Sequence, residues 1–202
     1  EAEAKRKAEA EAEAKRKAED EAKAPGLAFL QGLNASSEVE WMLQQQLFKT
    51  QAESKAATGG KGSVSQPPEQ LSELALLARG CFGPLQMFGP LGPPSQVYVG
   101  VLAPPRREKF ALHIWNSEKE YNEDKPSKQE IELLRVSAVS PDPSRPDVFI
   151  MSYIDKDKNA KKAMFQRIDR GRDVWVELLQ ILITKVHEDH RDKKDSKEKR
   201  RK

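Results

Sequence analysis

Three histidines and one cysteine are the side chains of this sequence best suited to acid–base, nucleophilic or metal chemistry. His187 and His190 are three residues apart, a spacing that can bind zinc on a helix when a third ligand is present. No cysteine lies near them, and His113 has neither a nucleophile nor a ligand-spaced partner in the sequence. A single cysteine, Cys81, excludes an internal disulfide and suits a reducing compartment. We therefore predict no catalytic residue, no metal site, no cofactor and no small-molecule substrate.

A glycine-rich stretch in residues 58–63, Thr-Gly-Gly-Lys-Gly-Ser, suggests a phosphate-binding loop at first sight. It lacks the GxxxxGK[ST] spacing of such a loop, and no predicted strand precedes it. The surrounding residues 51–68 are mostly Ala, Gly, Ser, Lys, Gln and Pro. This composition predicts a flexible linker rather than a nucleotide site.

Clusters of lysine and arginine are the remaining chemical signal. Predicted turns carry cations that would form an anionic-lipid surface if the turns share one rim of the fold: Arg106, Arg107, Lys109, Lys161 and Lys162. Neighbouring carboxylates dilute these charges, so ordinary solubilising charge is the alternative interpretation. Residues 191–202 add eight cations against three acids, and each cation near an anionic leaflet contributes about 1 kcal/mol. This tail has no aromatic residue on which a base could stack, so nucleic acid is not a predicted partner.

Charge and hydropathy divide the chain into regions. Charged residues make up 33% of the 202 residues, but the net charge is only +3 and the charges concentrate at the two ends. We therefore expect one folded domain over residues 71–188. No apolar run approaches the roughly 18–20 residues of a membrane span, and no signal peptide is visible, so a secreted protein is not expected.

Two helical segments are predicted before that domain. Residues 1–24 repeat a ten-residue unit of Ala, Glu, Lys and Arg, with Glu preceding Lys by four positions. This pattern favours a solvated single helix, with a coiled coil as the alternative despite the absence of Leu or Ile at heptad spacing. Residues 36–50 predict an amphipathic helix with an apolar face that packs on its own domain, on a partner's groove or on a membrane interface. Its start is marked by Ser37 and Glu40 at capping-box spacing.

The folded region alternates β-rich segments with turn residues and closes with one helix. A Gly/Pro-rich patch at residues 83–94 predicts a strand followed by a long turn. Five further strands are predicted at Gln96–Ala103, Lys109–Asn116, Gln129–Ser137, Val148–Asp155 and Lys162–Asp169. A closing helix is predicted over residues 170–187, with Trp175, Leu178 and Leu179 as its structural anchors. Residues 189–202 are expected to form a disordered basic tail.

This order resembles the pleckstrin-homology (PH) superfold. The residues that carry the resemblance are the segments Phe110–Trp115, Ile131–Leu133 and Val148–Ile150, together with Trp175 in the closing helix. The resemblance implies a mainly β fold, a bent seven-stranded antiparallel barrel or sandwich with one capping C-terminal helix. It also implies a binding module rather than an enzyme.

In phosphoinositide-binding members of the superfold, the loop between the first two strands carries cations that hold the phosphates. The corresponding segment here, residues 88–96, reads FGPLGPPSQ and contains no cation. The resemblance therefore implies a scaffold or localisation module that binds a protein partner at the cytoplasmic face of a membrane. The alternative is a PH domain that binds an anionic phospholipid, either a phosphoinositide or phosphatidic acid.

A PH-like fold without this clamp is similar to that of apicomplexan inner-membrane-complex sub-compartment proteins. That narrower resemblance implies an acylated, membrane-tethered protein whose PH-like domain binds proteins. The acylated PH-domain protein of the same parasites, which binds phosphatidic acid, is the related alternative.

Overall fold

The computed structural model describes residues 35–46, 73–89, 93–102 and 109–199. The predictions for the repeat at 1–24, the linker at 51–68, and Arg106 and Arg107 lie outside these ranges.

Seven strands and four helices form the described part of the chain. Helix α1 covers residues 37–46, and α2 is Glu73–Gly80. The strands are β1 (Gly83–Met87), β2 (Ser95–Leu102), β3 (Ala111–Trp115), β4 (Gln129–Glu132), β5 (Val136–Pro141), β6 (Val148–Ile154) and β7 (Ala160–Arg167). Between them lie the short helix α3 (Glu118–Asn122) and a 3-10 turn (Leu133–Arg135), and α4 (Arg172–Lys199) closes the chain.

The strands make one antiparallel sheet in the order β4-β3-β2-β1-β7-β6-β5. Consecutive strands pair within β1 to β4 and within β5 to β7, and β4 and β5 are the two edges of the sheet. The two halves join where β1 pairs with β7, and Leu85 there lies opposite Arg167. The register of β5 shifts between Val136 and Ala138, an irregularity of the kind that bends a sheet. The predicted fold class is thus confirmed: the fold is a seven-stranded PH-like sheet with a C-terminal helix.

Helix α4 packs its apolar face against the sheet through Trp175. Trp175 is fully buried, and its ring stacks with the Phe149 ring at 6.4 Å between centroids. Its Nε1 donates a hydrogen bond to Asp169 Oδ1 at 3.0 Å. The Arg170 guanidinium lies 4.5 Å from the centre of the same ring. Arg170 also donates to the carbonyl oxygens of Gly80 and Phe82, so the start of α4 is tied to the end of α2.

Helix α1 packs on its own domain, one of the three placements that its amphipathic pattern allowed. Val39 and Leu43 are fully buried in the core cluster. Trp41, on the other side of α1, is 62% exposed. The apolar face of this helix therefore completes the core with α2 and α4.

A glycine in β2 makes room for an aromatic ring. A Cβ atom on Gly100 would overlap the ring of Phe82, so a larger residue would displace that ring. The Phe82 ring also lies 5.3 Å from Tyr121 and 6.5 Å from Tyr98. Helix α3 thus covers this part of the sheet with an aromatic residue.

Two local predictions need correction, and one helix was not predicted. The segment 189–199 is helical, although we predicted a disordered tail, because α4 continues to Lys199. Ion pairs at helical spacing support it, such as Lys193 Nζ with Asp189 Oδ2 at 2.7 Å. The polar stretch at 118–122 forms helix α3 because Ser117 caps it, accepting from the Glu120 N–H. The predicted strand at 129–137 is broken by the 3-10 turn at Leu133–Arg135.

Candidate functional site

A groove with a volume of about 820 Å³ lies among β1, β4, β6 and β7. Its volume is within the usual range for ligand-binding sites. We call it the β-groove and define it by its lining: residues 87–89 at the end of β1, 129–132 of β4 with Arg135, and 153–157 and 161–164 from the β6–β7 hairpin. The site is therefore built from segments that are far apart in sequence.

The lining of the β-groove is charge-balanced and partly apolar. Its cations are Arg135, Lys156, Lys161 and Lys162. Its carboxylates are Glu130, Glu132, Asp155 and Asp157. With four charges of each sign, the formal net charge of the lining is zero. Apolar side chains interleave them: Met87, Phe88, Ile131, Tyr153, Ile154, Ala163 and Met164.

Asp155 fixes the β6–β7 turn and one of the predicted cations. Its Oδ1 accepts from the backbone N–H groups of Asp157 and Asn159, both at 2.9 Å, and its Oδ2 lies 2.8 Å from Lys161 Nζ. The hydrogen bond from Lys161 and those from the turn hold the pKa of Asp155 below its usual range. The same contact raises the pKa of Lys161. Lys161 thus has a carboxylate partner within its own hairpin.

Glu132 holds two cations at the opposite side of the groove. Its carboxylate lies 3.0 Å from Lys109 Nζ and accepts from Arg135 Nε at 3.0 Å. Partial burial opposes ionisation of Glu132, but the hydrogen bonds and charges of Lys109 and Arg135 outweigh it, and its pKa is lowered. Arg135 also donates to the Asp155 carbonyl oxygen at 2.9 Å, which links the turn to the edge of β4.

The three predicted lipid-binding cations that the structure describes, Lys109, Lys161 and Lys162, do not form one cluster of unpaired charges. Lys109 and Lys161 pair with different carboxylates, and Arg106 and Arg107 lie in the segment 103–108 outside the described residues. Lys162 lines the β-groove together with Lys156, and neither is in an ion pair with the described residues. The structure therefore places two of the five predicted cations, Lys161 and Lys162, at the groove. Sequence reasoning missed Arg135, which also lines it.

The turn after β1 brings an aromatic residue to the groove. Strand β1 ends at Met87 and β2 begins at Ser95, so the connecting loop is residues 88–94, none of which is a cation. Phe88 lines the groove, and the Arg145 guanidinium lies 5.0 Å from the centre of its ring. At the start of the loop that the resemblance aligns with a phosphate clamp, the described residue Phe88 contributes apolar surface.

The histidines and the cysteine do not assemble a reactive site among the described residues. His113 is buried, stacks on Trp115 and lies with its Nδ1 2.9 Å from Ser127 Oγ. Burial raises the pKa of Cys81 to about 12, although the positive charge of Arg170 acts to lower it. The thiol of Cys81 therefore stays protonated at neutral pH. His187 and His190 lie on α4, and no group of three metal-ligating side chains occurs in the described ranges.

Within the part of the chain that the structure describes, no helix combines the length and apolar character needed to cross a bilayer.

The strand order, the closing helix and the groove define a PH-like domain. Residues 83–194, more than half of the chain, match the family described as the CERLI1-like PH domain. The chain belongs to that family, and the predicted membership of the PH superfold is confirmed.

Proteins similar to this chain include a curated relative and two solved PH domains. Rhoptry apical surface protein 2 of Toxoplasma gondii is 29% identical over 104 residues, which cover 52% of this chain and 24% of the relative. The chain thus spans about a quarter of the length of that relative. The PH domain from TgAPH aligns at 11% identity and a TM-score of 0.45, covering 56% of this chain and 91% of that one. The PH domain from PfAPH aligns at 10% identity and a TM-score of 0.41, covering 60% of this chain and 95% of that one.

Proposed function

We propose that this chain is a non-catalytic scaffold or localisation module that binds a protein segment in the β-groove at the cytoplasmic face of a membrane. The observation that carries the proposal is the composition of the groove, whose lining contains apolar side chains and an equal number of charges of each sign. Such a lining suits a peptide with apolar anchors and mixed charges better than a polyphosphate. The site has no assembled nucleophile or general base among the described residues, which supports a binding role.

Phosphate recognition would require cations that are free to converge on one ligand. In the β-groove, Lys161 and Arg135 are already bound to Asp155 and Glu132. A phosphorylated headgroup would have to displace these carboxylates or lie beside them, and like charges repel in a partly enclosed site. This competition argues against headgroup recognition as the main activity.

One comparison and one expectation from the sequence support action at a membrane surface. The name of the curated relative places that protein at the apical surface of the rhoptry. The similarity to acylated inner-membrane-complex proteins, noted from the sequence, points to a membrane in the same way. We extend this location to the present chain as part of the proposal.

A liposome assay tests the proposed function. The full chain is sedimented with phosphatidylcholine vesicles alone and with vesicles that also carry a phosphoinositide, phosphatidic acid or phosphatidylserine at matched net charge. We expect no headgroup to be preferred, because the groove has no net charge. Strong binding to one headgroup over phosphatidylserine at equal charge would contradict the proposal.

The second candidate is an anionic-lipid-binding domain, and the position of Lys156 and Lys162 favours it, because neither is in an ion pair with the described residues. If lipid binding depends on these two cations, K156E/K162E should abolish sedimentation with anionic vesicles and leave the Lys161–Asp155 contact in place. The matched control K119E/K185E makes the same charge change on α3 and α4, outside the groove. Equal sedimentation of both variants would exclude this candidate and support the protein-binding module.

A further inference from the structure

The two edge strands of the sheet, β5 and β4, differ in what lies along their outer side. An edge strand carries N–H and C=O groups that face away from the sheet and can pair with another chain. On β5, Gln180 of α4 donates from its Nε2 to the Val139 carbonyl oxygen at 2.8 Å. Pro141, the last residue of β5, has no N–H to donate. Helix α4 and this proline therefore block the middle and the end of the β5 edge.

Strand β4 has its outer side along the β-groove instead. All its residues, Gln129–Glu132, line the groove. Two side chains span the groove towards β6 and its turn, one near each end of β4. Gln129 Nε2 donates to the Tyr153 hydroxyl at 2.9 Å, and Arg135 Nη1 donates to the Asp155 carbonyl oxygen at 2.9 Å. In the described sheet β4 pairs with β3 alone, so the groove follows a main-chain edge.

The hydrogen bonds of β4 identify the main-chain groups that face the groove. Residues of an antiparallel strand alternate between those that bond to the neighbouring strand and those that point away from it. Leu133, directly after β4, donates from its N–H to the Phe110 carbonyl oxygen at 3.0 Å. Leu133 and, two residues earlier, Ile131 therefore point to β3. Glu130 and Glu132 direct their N–H groups to the groove, and the Glu130 carbonyl oxygen points the same way.

The side chain of Glu130 adds a charge to this edge. Ile131 is buried, so Glu130, one position earlier, has its side chain on the outer face, where it is exposed. Glu132 pairs with Lys109 and Arg135, whereas Glu130 has no ion pair with the described residues. A residue directly opposite Glu130 on an added strand would lie on the same face, where an opposite charge stabilises the pair. Lys or Arg is therefore favoured at that position, and its two neighbours would point inward like Ile131.

We propose that the protein partner binds as an extended segment that adds an antiparallel strand to the β4 edge inside the β-groove. This inference rests on the proposed function and names how its partner is held. Main-chain hydrogen bonds to Glu130 and Glu132 provide affinity, and the side chains of the segment provide specificity. The preferred segment has a central Lys or Arg between two apolar residues. An acidic residue elsewhere in the segment pairs with Lys156 or Lys162 on the opposite wall.

A peptide selection tests the assigned charge. Short random peptides displayed on phage are selected in parallel on the wild-type full chain, on E130K and on D192K. The D192K control makes a similar charge change on α4, outside the groove. We expect Lys or Arg between apolar residues in peptides selected on the wild type and on D192K, and Asp or Glu at that position on E130K. No enrichment on the wild type, or the same consensus on E130K, would overturn the proposal.

Backbone N-methylation of the selected peptide tests strand addition separately from side-chain recognition. In an antiparallel pair, the residue opposite Glu130 donates its N–H to the Glu130 carbonyl oxygen, and the next residue's N–H points away. Methylation at the central cationic residue should weaken binding to the full chain about tenfold, and methylation at the next residue less than about twofold. Equal effects at the two positions would overturn strand addition. The groove could then still bind a protein segment, so this failure is distinct from failure of the proposed function.

Amide hydrogen exchange locates the added strand. In the full chain bound to the unmethylated peptide, exchange at Glu130 and Glu132 should slow by at least about tenfold. Val139 on the β5 edge is the internal control, and its exchange should change less than about twofold. Protection of Val139 in place of Glu130 would put the added strand on β5 and overturn the assignment to β4.

Discussion

At the scale of single residues, the charged side chains of the described residues differ in whether they form an ion pair. The sequence indicates that Asp155 dilutes the cations of its turn, and the structure places it 2.8 Å from Lys161. It cannot indicate that Lys109 pairs with Glu132, because that contact depends on the register that puts Ala111 opposite Glu132. The sequence therefore identifies the charged residues, but which of them form ion pairs depends on the strand register of the folded sheet.

Asp142 offers a residue-scale prediction for acid stability. Hydrogen bonds from Ser144 and Arg145 hold the pKa of its carboxyl well below the usual range. A lowered native pKa stabilises the fold above the unfolded value of about 3.9, and this contribution is lost as the pH falls below that value. We expect the free energy of unfolding, measured with urea, to fall more steeply below pH 4 in the wild type than in D142N.

The control for Asp142 is D157N, which alters an exposed carboxylate in the β6–β7 turn. That variant should keep the steep wild-type decline. If D142N and the wild type lost stability in parallel through the acid range, the stabilising role assigned to Asp142 would be wrong.

At the scale of elements, the periodicity of apolar residues predicted the order of strands and the closing helix. It did not predict where the closing helix ends. Strand β6 was predicted at Val148–Asp155 and is found at Val148–Ile154. A run of β-branched and aromatic residues between turn residues strongly favours a strand. The end of α4 could not be located from apolar periodicity, because Val186 is its last buried residue and charged pairs continue the helix. Helix α3, five residues long, depends on one capping serine.

Trp175 and Trp41 form a matched pair that tests the closing helix. Trp175 is fully buried and Trp41 is 62% exposed. W175A should lower the free energy of unfolding by about 3–5 kcal/mol, since it leaves a large cavity and removes the donor to Asp169. W41A should change it by less than about 0.5 kcal/mol, as measured by the same denaturant titration. A W175A chain that melts within a degree of the wild type would contradict the placement of α4.

At the scale of the whole molecule, neither the position nor the charge balance of the β-groove could be predicted from the sequence. Its lining residues lie between 87 and 164 and come from β1, β4, β6 and β7. In the sheet order β4 and β6 are not neighbours, so only the folded sheet brings these segments together, as in the bond from Gln129 to Tyr153. The absence of cations from the loop after β1 was visible in the sequence. The charge balance of the finished groove was not, because Arg135 and Glu132 enter it from the 3-10 turn and the end of β4.

The central claim is that this PH-like domain does not recognise inositol phosphates through its groove. The most direct measurement is an NMR titration of the isotope-labelled full chain with soluble inositol trisphosphate, which removes membrane charge from the comparison. We predict no saturable, residue-specific shifts for Gly89, Lys161 or Lys162 at physiological salt. Saturable shifts confined to the groove, with a dissociation constant in the micromolar range, would contradict the claim.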